Sequence, residues 1–210
     1  MKRYFHAIFI YFLFLFCFSF SKNYYSISGI NEQITFYPRY SIDGLGTFKL
    51  KFLLENSDDD LVKELEYRNK GPKKLGNTIG VDIIFQKTKW INFGGGLEIQ
   101  IERQLSNSPS SFGFNSFYGI IQVNSSSGLI YFAKYGETYF HGDGDFSSDG
   151  FRDLAGSFYS SVGILTRFID NIFVEISRSY MQSDINNFGG NDLMWCEYES
   201  YNFGIGYFIE

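Results

Sequence analysis

Beyond residue 43 nearly every apolar run alternates one for one with polar residues, and the connections between runs are long and short in strict turn. A period of two puts successive side chains on opposite faces of an extended strand. Thr47–Glu55 sets Phe48, Leu50, Phe52 and Leu54 on one face against Lys49, Lys51 and Glu55 on the other. Trp90–Arg103 sets Ile91, Phe93, Leu97, Ile99 and Ile101 against Asn92, Glu98, Gln100 and Glu102. The same rhythm recurs over Thr78–Lys87, Phe112–Val123, Leu129–Phe140, Ser157–Phe168, Ile172–Met181 and Cys196–Ile209. Tight turns are expected at Lys87-Thr88-Lys89, at Asn124–Gly128 and at Asp170-Asn171, where the residue types suit a sharp reversal. Eight strands joined by three tight turns and four long loops have the connectivity of an all-β, closed antiparallel up-and-down barrel with both chain ends on the tight-turn side.

The first residues read differently. Lys2 and Arg3 precede an uncharged run from Tyr4 to Phe20, and Ser19 and Ser21 supply the small residues that a signal peptidase inspects. A secretory leader over residues 1–21 is the expectation, with a retained anchor as its alternative. Its removal takes Lys2 and Arg3 with it, so the formal charge falls from −5 to −7. That acidity argues against nucleic acid as a partner. Cys17 leaves with the leader and Cys196 remains, so no internal disulfide framework exists. Residues 22–43 precede the expected barrel domain of 44–210 and read as an N-terminal extension or a short extra strand at Gln33–Tyr40, where Pro38 points to an edge element. In the first long loop a short helix is expected: Ser57 caps it, Asp58 to Asp60 suit its first turn, and Leu61 and Leu65 share a face.

Alternation does not say which face meets which solvent, so the polar face must decide. In several strands that face is made of small or weakly polar residues: Ser200, Asn202, Gly204 and Gly206 in the last, Tyr159, Ser161 and Gly163 in the sixth. Such residues suit the crowded interior of a narrow barrel. The charges at Lys49, Lys51, Glu55, Asp82, Glu98, Glu102, Lys134, Arg167 and Glu175 are of both signs and are expected to pair across the lumen into a polar plug, since a buried charge without a partner costs several kcal/mol. Strands of about ten residues match what a tilted transmembrane strand requires, about 9 to 11. The run Asn202-x-Gly204-x-x-Tyr207-x-Ile209 resembles the terminal assembly signal of small bacterial outer-membrane barrels, with Glu210 where an aromatic is usual. Over residues 44–210 the chain thus resembles the small eight-stranded bacterial outer-membrane β-barrels. The resemblance implies transmembrane β-strands in the cell envelope, outer-membrane lipid and the barrel assembly machinery as partners, and a monomer whose surface loops face outward.

Three features invite chemistry. His141 is the sole histidine beyond the leader, which removes any site built on several imidazoles. Some barrels of the resembled class modify lipid with a histidine near the external rim, which makes His141 a weak candidate for a general base. Asp143, Asp145, Ser147 and Asp149 place oxygens on alternate residues, a spacing that suits a hard cation such as Ca2+, although Ser148 and Leu154 depart from the helix-loop-helix pattern. Gly94-Gly95-Gly96 lies within a strand and reads as a bulge or a site of close packing, and no cofactor is expected. The expected function is that of a non-enzymatic, porin-like outer-membrane barrel with a plugged interior and a structural or surface-interaction role. A soluble exported carrier of an apolar ligand and a lipid-modifying enzyme stand as the alternatives.

Overall fold

The computed structural model describes residues 33–54, 61–68, 75–86, 88–104, 111–143, 156–185 and 193–209. The expected leader lies outside them. Ten strands follow in chain order: β1 (Gln33–Leu54), β2 (Leu61–Arg68), β3 (Gly76–Gln86), β4 (Ile91–Ile101), β5 (Arg103–Gln104), β6 (Ser111–Asn124), β7 (Leu129–Asp143), β8 (Gly156–Ile169), β9 (Ile172–Ile185) and β10 (Leu193–Tyr207). Strands β1, β3, β4, β6, β7, β8, β9 and β10 pair antiparallel in sequence order, and β10 returns to β1 to close the sheet. The tight turns fall where the residue types direct them. Asp170 takes φ 43° and Gly128 takes φ 81°, left-handed conformations that Asp and Gly tolerate best. In the β3–β4 turn the Thr88 hydroxyl accepts the Ile91 amide at 2.9 Å.

Among the described residues the barrel sheet already includes Gln33, ahead of the expected start at residue 44. Residues 33–43, expected as an extension or extra strand, form the lower half of β1, with Tyr37 opposite Asp82 of β3 and Arg39 opposite Gly206 of β10. Pro38 is tolerated inside a closed sheet because of where its missing donor points. Phe36 exchanges two backbone hydrogen bonds with Ile209, at 3.0 and 2.8 Å, so the backbone of Pro38, two residues on, faces the same seam and interrupts only that ladder.

The upper half of β1 departs from expectation in two ways. Between Gly44 and Thr47 one additional residue enters β1 against β10, a bulge that exchanges the two faces of the strand. Below it Tyr37, Arg39, Ser41 and Asp43 are buried; above it Phe48 is buried and Lys49 is only partly so. Phe48 therefore faces the interior and not the surroundings. The orientations of Leu50, Lys51, Phe52, Leu54 and Glu55 lie outside the described residues. The second departure is the first long loop, where Leu61–Arg68 is strand β2 and not a helix. The register sets Lys49 opposite Glu66 and Lys51 opposite Glu64. A waiting strand edge outweighs a helix too short to be stable on its own in water.

Inside, the side chains form three layers. Nearest the tight turns, Tyr37, Ile84, Ile120, Phe132, Leu165, Phe173 and Phe208 make an apolar floor. Nearest the long loops, Phe48, Phe112, Phe114, Phe140, Tyr159, Met181, Cys196 and Tyr198 make an aromatic ceiling. Its rings pack at 4.3 Å (Phe48–Phe112) and edge-on at 5.4 Å (Phe114–Phe140), geometries worth about 0.5–1.5 kcal/mol each beyond area burial. Charged residues lie between the two layers. Gly206 makes the floor possible, because a Cβ there would fall 2.3 Å from the Tyr37 ring. The Gly94–Gly96 run is not a bulge, since the β3–β4 register is continuous from Asn77↔Ile101 to Gln86↔Asn92. It is close packing: a Cβ on Gly96 would meet Asp82 at 2.3 Å.

Candidate functional site: a charged lumen inside an apolar wall

Alternation along β3, β4, β7 and β9 aims Asp82, Glu98, Lys134 and Glu175 inward, and the lower half of β1 adds Arg39. All five are buried. Arg39 is the centre of the layer. Its Nη2 donates to Glu98 Oε2 at 2.5 Å and to the Tyr118 hydroxyl at 2.5 Å, while Nε lies 3.5 Å from Asp82 Oδ2 and Nη1 lies 3.7 Å from Glu175 Oε1. Asp82 is held twice more, by the Tyr118 hydroxyl donating at 2.6 Å and by Lys134 Nζ at 3.4 Å. Lys134 also sits 4.8 Å from the centre of the Phe132 ring, so a cation with one ionic partner gains an aromatic face.

A second knot lies toward the ceiling. Arg103 donates to Asp43 and to the Tyr198 hydroxyl. Asp43 also accepts from Gln100 at 3.2 Å and from Thr78 at 3.1 Å. Along the β8–β10 wall Ser161, Ser177, Ser179 and Asn202 bond one another at 2.7–3.4 Å. Layers of charge, hydroxyl and ring fill the centre from floor to ceiling.

Of the nine charges expected in the lumen, Asp82, Glu98, Lys134 and Glu175 are there. Glu102 is exposed where β4 gives way to β5, Arg167 is exposed at the tight-turn end against Phe173, and Lys49 stands on the face opposite Phe48. Sequence reasoning missed Arg39, Asp43 and Arg103. The signal for the first two was legible: Tyr37, Arg39, Ser41 and Asp43 alternate with Ile34, Phe36, Tyr40 and Ile42. Pro38 pointed to an edge element and away from a strand inside the closed sheet.

The outward face is the reverse of the lumen. Ile99 is 43% exposed and Ile205 is 47% exposed, whereas Glu98 and Glu175 are 4% and 2% exposed. Exposed apolar side chains ring all eight barrel strands, among them Ile34, Phe93, Phe117, Tyr131, Ile164 and Ile176. The ring has an upper edge on β9 and β10, where Arg178 and Glu199 pair at 2.7 Å on the outer face and the register sets Arg178 opposite Tyr201.

His141 lies near the end of β7, opposite Gly113, with its ring against that glycine. Its Nδ1 is 3.6 Å from Glu102 Oε1, and Glu102 Oε2 accepts the Ser111 hydroxyl at 2.9 Å. Its Nε2 is shut from solvent and has no hydrogen-bond partner. Among the described residues, the serine is thus bound to the carboxylate and the Nε2 of the imidazole is covered. Asp143 ends β7 opposite Ser111, and Asp145, Ser147 and Asp149 lie outside the described residues. Cys196 is fully buried in the ceiling.

No protein-family model matches the sequence, and no curated protein matches it. Among solved structures the barrel is similar to Ail, the attachment invasion locus protein of Yersinia pestis, at 12% identity over 82% of this chain and 97% of that one, with a TM-score of 0.45. It is similar to the outer membrane protein OprG from Pseudomonas aeruginosa at 11% identity over 85% and 96%, TM-score 0.44. It is also similar to the outer membrane protein AlkL at 10% identity over 90% and 96%, TM-score 0.49. At such identities the likeness is one of architecture.

Proposed function

We propose that this chain is a bacterial outer-membrane barrel, a filled eight-stranded anchor whose long-loop end acts at the surface in envelope integrity or contact, without catalysis and without an open pore. The observation that carries this reading is the reversal of burial across one wall, with isoleucines bare outside and carboxylates dry inside. In water an exposed apolar belt of this extent is a liability, since monomeric soluble proteins rarely show continuous apolar patches beyond a few hundred Å². In hydrocarbon it is the favourable arrangement, and closure leaves no backbone edge unpaired. The outward run Ile34–Ile42 spans nine residues. At about 3.3 Å each and a tilt near 40° that is about 20 Å, close to the apolar band of such barrels, about 25 Å. A carrier of apolar ligands needs a greasy cavity, and here the middle of the lumen is ionic.

Outer-membrane lipid around the belt and the barrel assembly machinery at β10 are the partners this reading entails. The test is fractionation followed by a gel of unheated and boiled samples. The expected result is extraction only by detergent and a changed mobility on boiling. Recovery in the soluble fraction with one mobility would overturn the reading.

A further inference from the structure

The charged layer does not balance. Among the described residues it holds two cations, Arg39 and Lys134, and three carboxylates, Asp82, Glu98 and Glu175, while the Arg103–Asp43 knot above it is neutral by itself. Arg167 is exposed at the tight-turn end, its guanidinium 5.5 Å from the ring of Phe173, which packs in the floor. A formal negative charge is left over in a dry centre, where an uncompensated ion is costly.

The three acids share the two cations unequally. Asp82 has Arg39, Lys134 and the Tyr118 hydroxyl, and Glu98 has the shortest contact to Arg39. Glu175 has the weakest support: 3.7 Å to Arg39 Nη1 and a hydroxyl from Ser177 at 3.3 Å, both on Oε1. Beside it stands a group without a partner. The Tyr37 hydroxyl is buried and makes no hydrogen bond, although Tyr37 as a whole is 1% exposed. The register puts Tyr37 opposite Asp82, and its ring crosses Gly206, where a Cβ would fall 2.6 Å from the phenol oxygen. Two residues back, Gly204 is opposite Glu175, and a Cβ there would come within 3.5 Å of the Glu175 Cβ. The phenol therefore reaches the border between floor and charged layer on the Glu175 side.

We propose that the lumen binds one monovalent alkali cation between the Glu175 carboxylate, the Tyr37 phenol and the Ser177 hydroxyl. The three donors are oxygens, which hard cations prefer. A single positive charge brings the layer to neutrality, whereas a divalent ion would replace a deficit with an excess. The inference stands on the contents of the lumen and holds whichever solvent surrounds the barrel, so it survives or fails separately from the membrane assignment.

The test measures the unfolding equilibrium of the purified, refolded full-length barrel in sodium chloride and in choline chloride at equal ionic strength, since choline is too large for the site. A ligand that binds only the folded state raises the folded-to-unfolded ratio in proportion to its concentration above saturation. One bound cation therefore gives about a tenfold rise in that ratio for each tenfold rise in sodium, and none in choline. Glu175→Gln balances the layer without the ion and is expected to abolish the difference between the two salts. Tyr37→Phe keeps the ring and is expected to shift the dependence to higher sodium. Equal behaviour of the natural chain in the two salts overturns the proposal, and so does a sodium dependence that persists in E175Q. A barrel that ignores sodium but gains stability on acidification also overturns it, because a proton then fills the place assigned to the cation.

Discussion

Arg39 and Glu98, 59 residues apart in sequence, meet at 2.5 Å in the middle of the barrel. The contact joins β1 to β4 across the lumen and draws Asp82, Glu175 and Tyr118 into one group around a single guanidinium.

Arg39→Ala leaves those carboxylates without their shared partner, and breaking a buried ion cluster by removing one member costs about 3–5 kcal/mol. A fall of that size is expected in the urea unfolding free energy, along with new ion conductance in planar bilayers. Arg39→Lys recovers only part of it, since one ammonium does not span four acceptors. An unchanged midpoint for Arg39→Ala would remove Arg39 from the centre of the account.

Gly206→Val drives a branched side chain into the Tyr37 ring. Overpacking of this kind costs about 1–3 kcal/mol. Tyr37→Ala in the same chain is expected to relieve it, so a double-mutant cycle should return a favourable coupling. Additive losses in the cycle would show that the two side chains do not meet.

Ile205→Arg places a charge within the outer belt. For barrels in a bilayer the cost is about 2–4 kcal/mol near the midplane and falls toward the interfaces. The folded fraction in lipid vesicles should drop accordingly, while Arg178→Ala, at the belt's edge, should change it little. Equal tolerance at the two positions contradicts a hydrocarbon boundary between them.

Above the belt, Tyr180 is held neutral by burial and by Glu197 and Glu199, which push its phenol up from 10.0 to about 12. The folded state therefore keeps a proton that the unfolded chain releases first. The contribution is present below about pH 10 and is lost as pH rises toward 12. Ultraviolet titrations of the natural chain and of Tyr180→Phe should differ by one tyrosine titrating near pH 12.

Much of this was written plainly in the alternation. The three tight turns, the order of the strands and the outward set Ile91, Phe93, Leu97, Ile99 follow from a period of two and from turn residues at Asp170 and Gly128. Arg39 was hidden because Pro38 beside it argues for an edge element outside the closed sheet, and only the direction of its missing donor, a matter of pairing, reconciles the two. Phe48 was misassigned because a bulge leaves no mark in hydropathy: Lys49 and Phe48 alternate the same way on either face. His141 could not be judged from sequence at all, because the glycine beneath it lies 28 positions earlier in the chain and comes close only through the β6–β7 register.

The bulge at Gly44–Thr47 has an evolutionary corollary. Below it the odd-numbered positions from Tyr37 to Asp43 face the lumen, and above it the even-numbered Phe48 does. Ancestral or homologous versions of β1 should therefore keep their inward positions in opposite parity on the two sides of the Gly44–Thr47 bulge.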